Sequence, residues 1–138
     1  MFTIYESFFD VKLKSVPLSQ AWHSDILCIQ LFNKNEKVLF GTIFLDLFPR
    51  EGKFSHAAQC DIIPAFKNDD GSIHPGAVLV MANFPKPMND IPALLKHSDV
   101  KTFFHEFGHV MYNIFNKNDF CIFSGTNVEK DLIHLQIL

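Results

Sequence analysis

The hydrophobic pattern of this chain changes period once, and that change limits what it can fold into. Up to about residue 84 the apolar residues come in short alternating or continuous runs, and from about residue 99 they recur at three- and four-residue spacing. A period of two belongs to strands and a period near 3.6 to an amphipathic helix. Residues 11–16 alternate and stop at Pro17, which reads as a strand. Runs at 26–32 and 38–48 flank Asn33-Lys34-Asn35-Glu36, whose turn chemistry predicts a hairpin. A further strand is expected over 56–63, a turn at Asn68-Asp69-Asp70-Gly71-Ser72, and an apolar strand over 76–84 closed by Pro85 and Pro87. Residues 2–9 fit a short helix or a strand equally well. Ser98 or Asp99 can then cap a helix over about 99–116, with Val100, Phe103, Phe104, Phe107, Met111, Ile114 and Phe115 on one stripe. A second helical stretch is expected from Thr126 onward. Strands first and helices last give an α+β fold.

The 138 residues suffice for one domain, and with 48% of them hydrophobic and 20% charged a packed core is expected rather than disorder. Phenylalanine is over-used, 16 copies against 2 Tyr and 1 Trp. That implies either a dense core or a surface that packs against further protein. A net charge of −3 provides no electrostatic footprint for nucleic acid or an anionic membrane. No apolar run reaches the length of a spanning helix, and the first ten residues carry Glu6 and Asp10 without a basic start, unlike a signal peptide. Cys28, Cys60 and Cys121 are odd in number and widely spaced, so buried, reduced thiols in a cytosolic compartment are expected.

Chemistry concentrates in His105-Glu106-Phe107-Gly108-His109. Two histidines four residues apart on a helix project from one face and can meet one metal ion. Glu106 stands beside them without joining them, where a carboxylate can take a proton from a metal-bound water. This is the donor pattern of a zinc hydrolase, in which a third protein ligand leaves the fourth position to water. By spacing alone Glu129, on the second helical stretch, is the best third ligand, with Asp131 and His134 competing; exposed first-turn acids on a helix would look the same. A structural helix that carries two histidines by coincidence would share the string as well.

Longer strings set this motif in a family. They are Leu45-Asp46-Leu47-Phe48-Pro49-Arg50-Glu51-Gly52-Lys53, His56-Ala57-Ala58, Asn83-Phe84, the stretch from Thr102 to Met111, and the stretch from Phe123 to Asp131. Looser likeness at Thr3-Ile4-Tyr5 and Ala21-Trp22-His23 carries it towards residue 1. Together they resemble the thimet oligopeptidase and neurolysin family of zinc oligopeptidases. The resemblance implies a zincin-like α+β catalytic domain of which residues 1–138 are a part, family members being several times longer and mostly helical elsewhere. It implies one zinc ion per chain, short peptides as substrates, and a cytoplasmic or mitochondrial setting. His105 and His109 correspond to zinc ligands and Glu106 to the general base. The Glu129 position corresponds to a residue that orients a ligating histidine, which displaces the choice made by spacing. The family's third ligand is a glutamate where this chain has His134. Tyr112 stands where the family usually has His, and the family's later Tyr- and Gly-rich substrate segment has no counterpart. Arg50, Glu51 and Lys53 match a loop near the cleft, though a solvated charged turn accounts for them equally. His56 reads as a hydrogen-bonded structural histidine, and residues 76–84 match a strand along the cleft whose edge pairs with substrate backbone. The expectation is therefore a zinc metalloendopeptidase acting on short peptides. Its alternatives are an inactive remnant that persists as a zinc- or partner-binding module, and a plain structural domain.

Overall fold

The structure is a computed structural model that describes residues 2–88 and 92–115. It opens on helix α1, Phe2–Phe9, so a helix precedes the sheet as well as following it. Asp10, at φ 54°, turns the chain sharply out of α1 and into strand β1, Val11–Val16. Strands β2, Leu27–Asn33, and β3, Leu39–Asp46, form the expected hairpin. The side-chain oxygen of Asn33 accepts the Lys37 and Val38 amides at 2.8 and 3.1 Å, and Glu36 takes a positive φ of 58°. Strand β4 is Ala58–Ile63. Around the Gly71 turn, β5, Phe66–Lys67, pairs with β6, Ile73–His74, in a small hairpin that the sequence pattern does not reveal. Strand β7 is Gly76–Met81 and α2 is His97–Phe115.

Five strands make one mixed sheet in the order β1-β2-β3-β7-β4. Among the described residues only the β3–β7 pair is parallel, and the crossover between them carries β4 out to the far edge. The strand expected at 76–84 is thus paired on both sides, which corrects the expectation that its edge meets substrate. Among the described residues the edges belong to β1 and β4. Past Met81 the chain continues extended, with the Ala82 and Phe84 amides donating to the Asp46 and Leu47 carbonyls at 2.9 Å each.

One face of the sheet is built by Ile29, Leu31, Ile43, Leu45, Val78 and Val80, the inward positions of alternating strands. Helix α2 covers it with Phe107, Val110, Met111 and Ile114. Tyr5 of α1 closes the flank, its ring 4.6 Å from Phe107 and its hydroxyl donating to the Phe104 carbonyl at 3.2 Å. The phenylalanine excess resolves both ways: Phe2, Phe103 and Phe107 join this cluster, whereas Phe8 and Phe54 stay exposed. The cap of α2 also differs from expectation. Asp99 sits in the first turn and its carboxylate accepts the Lys96 amide at 2.9 Å, the third-residue half of a capping box.

Gly41 lies where Ile114 of α2 presses on the sheet. A Cβ there would lie 3.0 Å from both the Gly76 carbonyl oxygen and the Ile114 Cδ1. Gly41→Ala should therefore cost about 1–3 kcal/mol by overpacking, read as a lower urea midpoint at unchanged m-value.

Candidate metal centre

Helix α2 carries core and chemistry on different faces. Phe107, Val110, Met111 and Ile114 are buried, whereas His105 is exposed and Glu106 and His109 are half-buried. The Nε2 atoms of His105 and His109 lie 3.1 Å apart, with the rings edge to face at 4.7 Å between centroids. Two nitrogens bound to one tetrahedral zinc at 2.0–2.1 Å would stand about 3.3 Å apart. The spacing of the pair therefore fits a shared zinc ion, of which the two nitrogens could be two donors. Among the described residues no group of three or more His, Cys, Asp or Glu side chains converges as a metal site. Glu129, Asp131 and His134, with the second helical stretch and Cys121, lie outside the described residues, so the third donor has no place in this geometry.

The charged loop after β3 is not a solvated turn. Asp46, 2% exposed, accepts both arms of the Arg50 guanidinium at 2.6 and 2.7 Å and the Trp22 indole N–H at 3.3 Å. Lys53 Nζ, its side chain 2% exposed, lies 2.9 Å from Asp46 Oδ1 and donates to the carbonyls of Asp46, Phe48 and Ala82 at 2.8, 2.7 and 2.5 Å. One ammonium thus joins the C-terminal end of β3, the loop behind it and the strand continuation beyond β7. That continuation meets α2, since Phe84 packs edge-on to Phe103 at 5.8 Å, two residues before His105. Glu51 of the same loop is exposed, as expected of a solvated charge. His56 is exposed, and among the described residues its contact is the Phe54 ring at 5.4 Å rather than a structural hydrogen bond. Cys28 is buried but Cys60 is exposed, which corrects the expectation of uniformly buried thiols. The signal for the Asp46 cluster was an acid closing the apolar run Ile43-Phe44-Leu45, with Arg four residues on and Lys seven.

Comparison with known proteins gives the family. The profile of Peptidase family M3 matches residues 1–135. The chain is 42% identical to a thimet-like oligopeptidase of Dictyostelium discoideum over 136 residues, covering 96% of this chain and 20% of that protein. It is 35% identical to saccharolysin of Saccharomyces cerevisiae over 131 residues (91% and 18%) and 30% identical to oligopeptidase A of Escherichia coli over 136 residues (98% and 20%). The chain belongs to peptidase family M3. It spans about a fifth of the length of the curated relatives it matches. Among the described residues no helix is long and apolar enough to cross a membrane.

The Asp46 cluster makes a pH prediction. Burial pushes this carboxyl up, but hydrogen bonds from Arg50, Lys53 and Trp22 outweigh it and hold the pKa down at about 2. The folded value lies below the unfolded one of about 3.9, so the stabilisation is complete above that value and drains away as pH falls towards 2. The melting temperature should drop between about pH 5 and pH 2.5 by more in the native chain than in Asp46→Asn. At neutral pH the same variant should lose roughly 3–5 kcal/mol, because Lys53 is left buried without its counter-charge.

Proposed function

We propose that this chain is part of the catalytic domain of a zinc metalloendopeptidase that cuts short peptides. The observation that carries the reading is the pair of imidazole nitrogens 3.1 Å apart on the face of α2 turned away from the core. Membership of a metallopeptidase family supports it.

His105 and His109 hold the metal, and the packed stripe of α2 fixes the direction from which they reach it. Bound zinc supplies a Lewis acid for the carbonyl and lowers the pKa of its water to about 7. Glu106, next in sequence to His105 and half-buried, would serve as general base, its carboxylate taking a proton from the water that attacks a peptide carbonyl. Among the described residues the outer edge of β4 pairs with no strand, and an extended peptide can add there as a further one. Tyr5 steadies the helix from behind through the Phe104 carbonyl, one residue before the first ligand.

A second reading has an observation of its own. The family's third ligand is a glutamate, and this chain has His134 there. On that reading the chain is an inactive remnant that binds zinc or a partner.

Zinc titration and a fluorogenic-peptide assay separate the two. Native protein and Glu106→Gln should each bind one zinc, whereas His105→Ala and His109→Ala should lose it, since too few protein donors remain. Hydrolysis should fall by at least about 100-fold in Glu106→Gln. Zinc binding without any hydrolysis by the native chain identifies the remnant. Zinc binding indifferent to both histidines would sink both readings.

A further inference from the structure

The edge strand β4 carries a charged residue that the catalytic reading leaves unused. The cross-strand partners of Gln59 and Asp61 on β7 are Val80 and Val78, both core residues beneath α2, so Gln59 and Asp61 lie on the helix side of the sheet. Asp61 Oδ1 accepts the Gln59 amide at 2.6 Å and also the side-chain amide of Asn113. Asn113 is 2% exposed, a buried polar residue in a helix face otherwise filled by apolar side chains. A buried amide left unbonded is costly, so Asn113 holds Asp61 in place. Both amides go to one oxygen; Oδ2 accepts no hydrogen bond among the described residues, and Asp61 is exposed.

Register places this carboxylate relative to the histidines. Phe84 meets Phe103 in the N-terminal half of α2, and Gly41, the cross-strand partner of Gly76, lies under Ile114 near its C-terminal end, so α2 runs antiparallel to β7. Strand β4 is also antiparallel to β7 and therefore runs alongside α2 in the same direction. Two residues of strand rise about 6.6 Å and one helical turn about 5.4 Å, so the two elements keep step over this distance. With Asp61 level with Asn113, Gln59 falls level with His109. Pairing with β7 slips between Asp61 and Ile63, a bulge of the kind that re-aims side chains at sheet edges.

We propose that Asp61 is a specificity residue, selecting a lysine or arginine in a peptide that lies along the outer edge of β4. The preferred position is two residues from the one level with His109. In a strand paired on that edge, the residue opposite Asp61 points to the same side of the sheet, with Cβ atoms about 4.5–5.5 Å apart. A basic side chain there reaches Oδ2 while Gln59 and Asn113 keep Oδ1. The proposal rests on the reading of this edge as the peptide site, and the experiment separates the two.

The probe is a set of fluorescein-labelled peptides in which one lysine, or norleucine in its place, is moved along an otherwise neutral sequence. Binding is measured by anisotropy to the zinc-loaded Glu106→Gln chain, with and without Asp61→Asn. Asparagine keeps the shape and the Oδ1 acceptor, so the strand remains tied to α2. One lysine position should bind about threefold to fivefold more tightly than norleucine at low salt. Asp61→Asn should abolish that preference while leaving the norleucine peptide's affinity unchanged, and Asp61→Lys should turn it towards glutamate at the same position. Peptides that bind with no lysine preference, or with one that survives Asp61→Asn, overturn the specificity assignment and leave the peptide site standing. Peptides that do not bind at all overturn both.

Discussion

Burial of one stripe of α2 is the constraint on which the rest depends. Phe107, Val110, Met111 and Ile114 must cover the apolar face made by Ile29, Leu31, Ile43, Leu45, Val78 and Val80. Once they do, the rotation of the helix about its axis is no longer free. Each residue advances about 100°, so seating Phe107 against the sheet decides where His105, Glu106 and His109 point. A catalytic constellation needs placement within a fraction of an ångström, and a rigid helix locked by packing gives it better than a loop would. Gly41 and Tyr5 act on the same variable. The first lets the far end of the helix come down onto β3, and the second holds the near end through a backbone carbonyl.

The sheet that receives the helix is itself tied together at one end by charge. Burying Lys53 and Asp46 would be costly if either stood alone. Here the ammonium is met by three carbonyls and a carboxylate, and the carboxylate by a guanidinium and an indole N–H. The parallel pair β3–β7 is the one junction in the sheet that no tight turn can close, because parallel strands need a crossover. Lys53 fastens the C-terminal ends of both strands at this junction.

Much of this was readable from the residues. The hairpin at 33–38, the strands near 11–16 and 58–63, and the helix holding both histidines follow from period and turn chemistry alone. What escaped depended on contacts between distant parts of the chain. The strand at 76–81 reads as buried, but nothing local says that β4 rather than β7 takes the edge; that choice is made by the crossover. Lys53 looks like any loop lysine until the carbonyls around it are seen. Asn113 left a faint trace as a polar residue three positions after buried Val110, but its partner Asp61 is 52 residues away and unmarked. Asp99 was recognised as a capping residue and misplaced by a turn, because side-chain and backbone signals for a cap spread over several positions.

The two margins of the sheet are finished differently. On β1 the exposed Lys12 and Lys14 reach Glu6 and Glu36, and such charge discourages another strand from docking. On β4 the exposed side chains include Ile62 and Ile63, with no lysine among them. Among the described residues the β4 margin is therefore the one less guarded against a further strand. A neighbouring stretch of protein that added a strand there would take the same berth as an extended peptide, so the two would compete for one set of backbone groups.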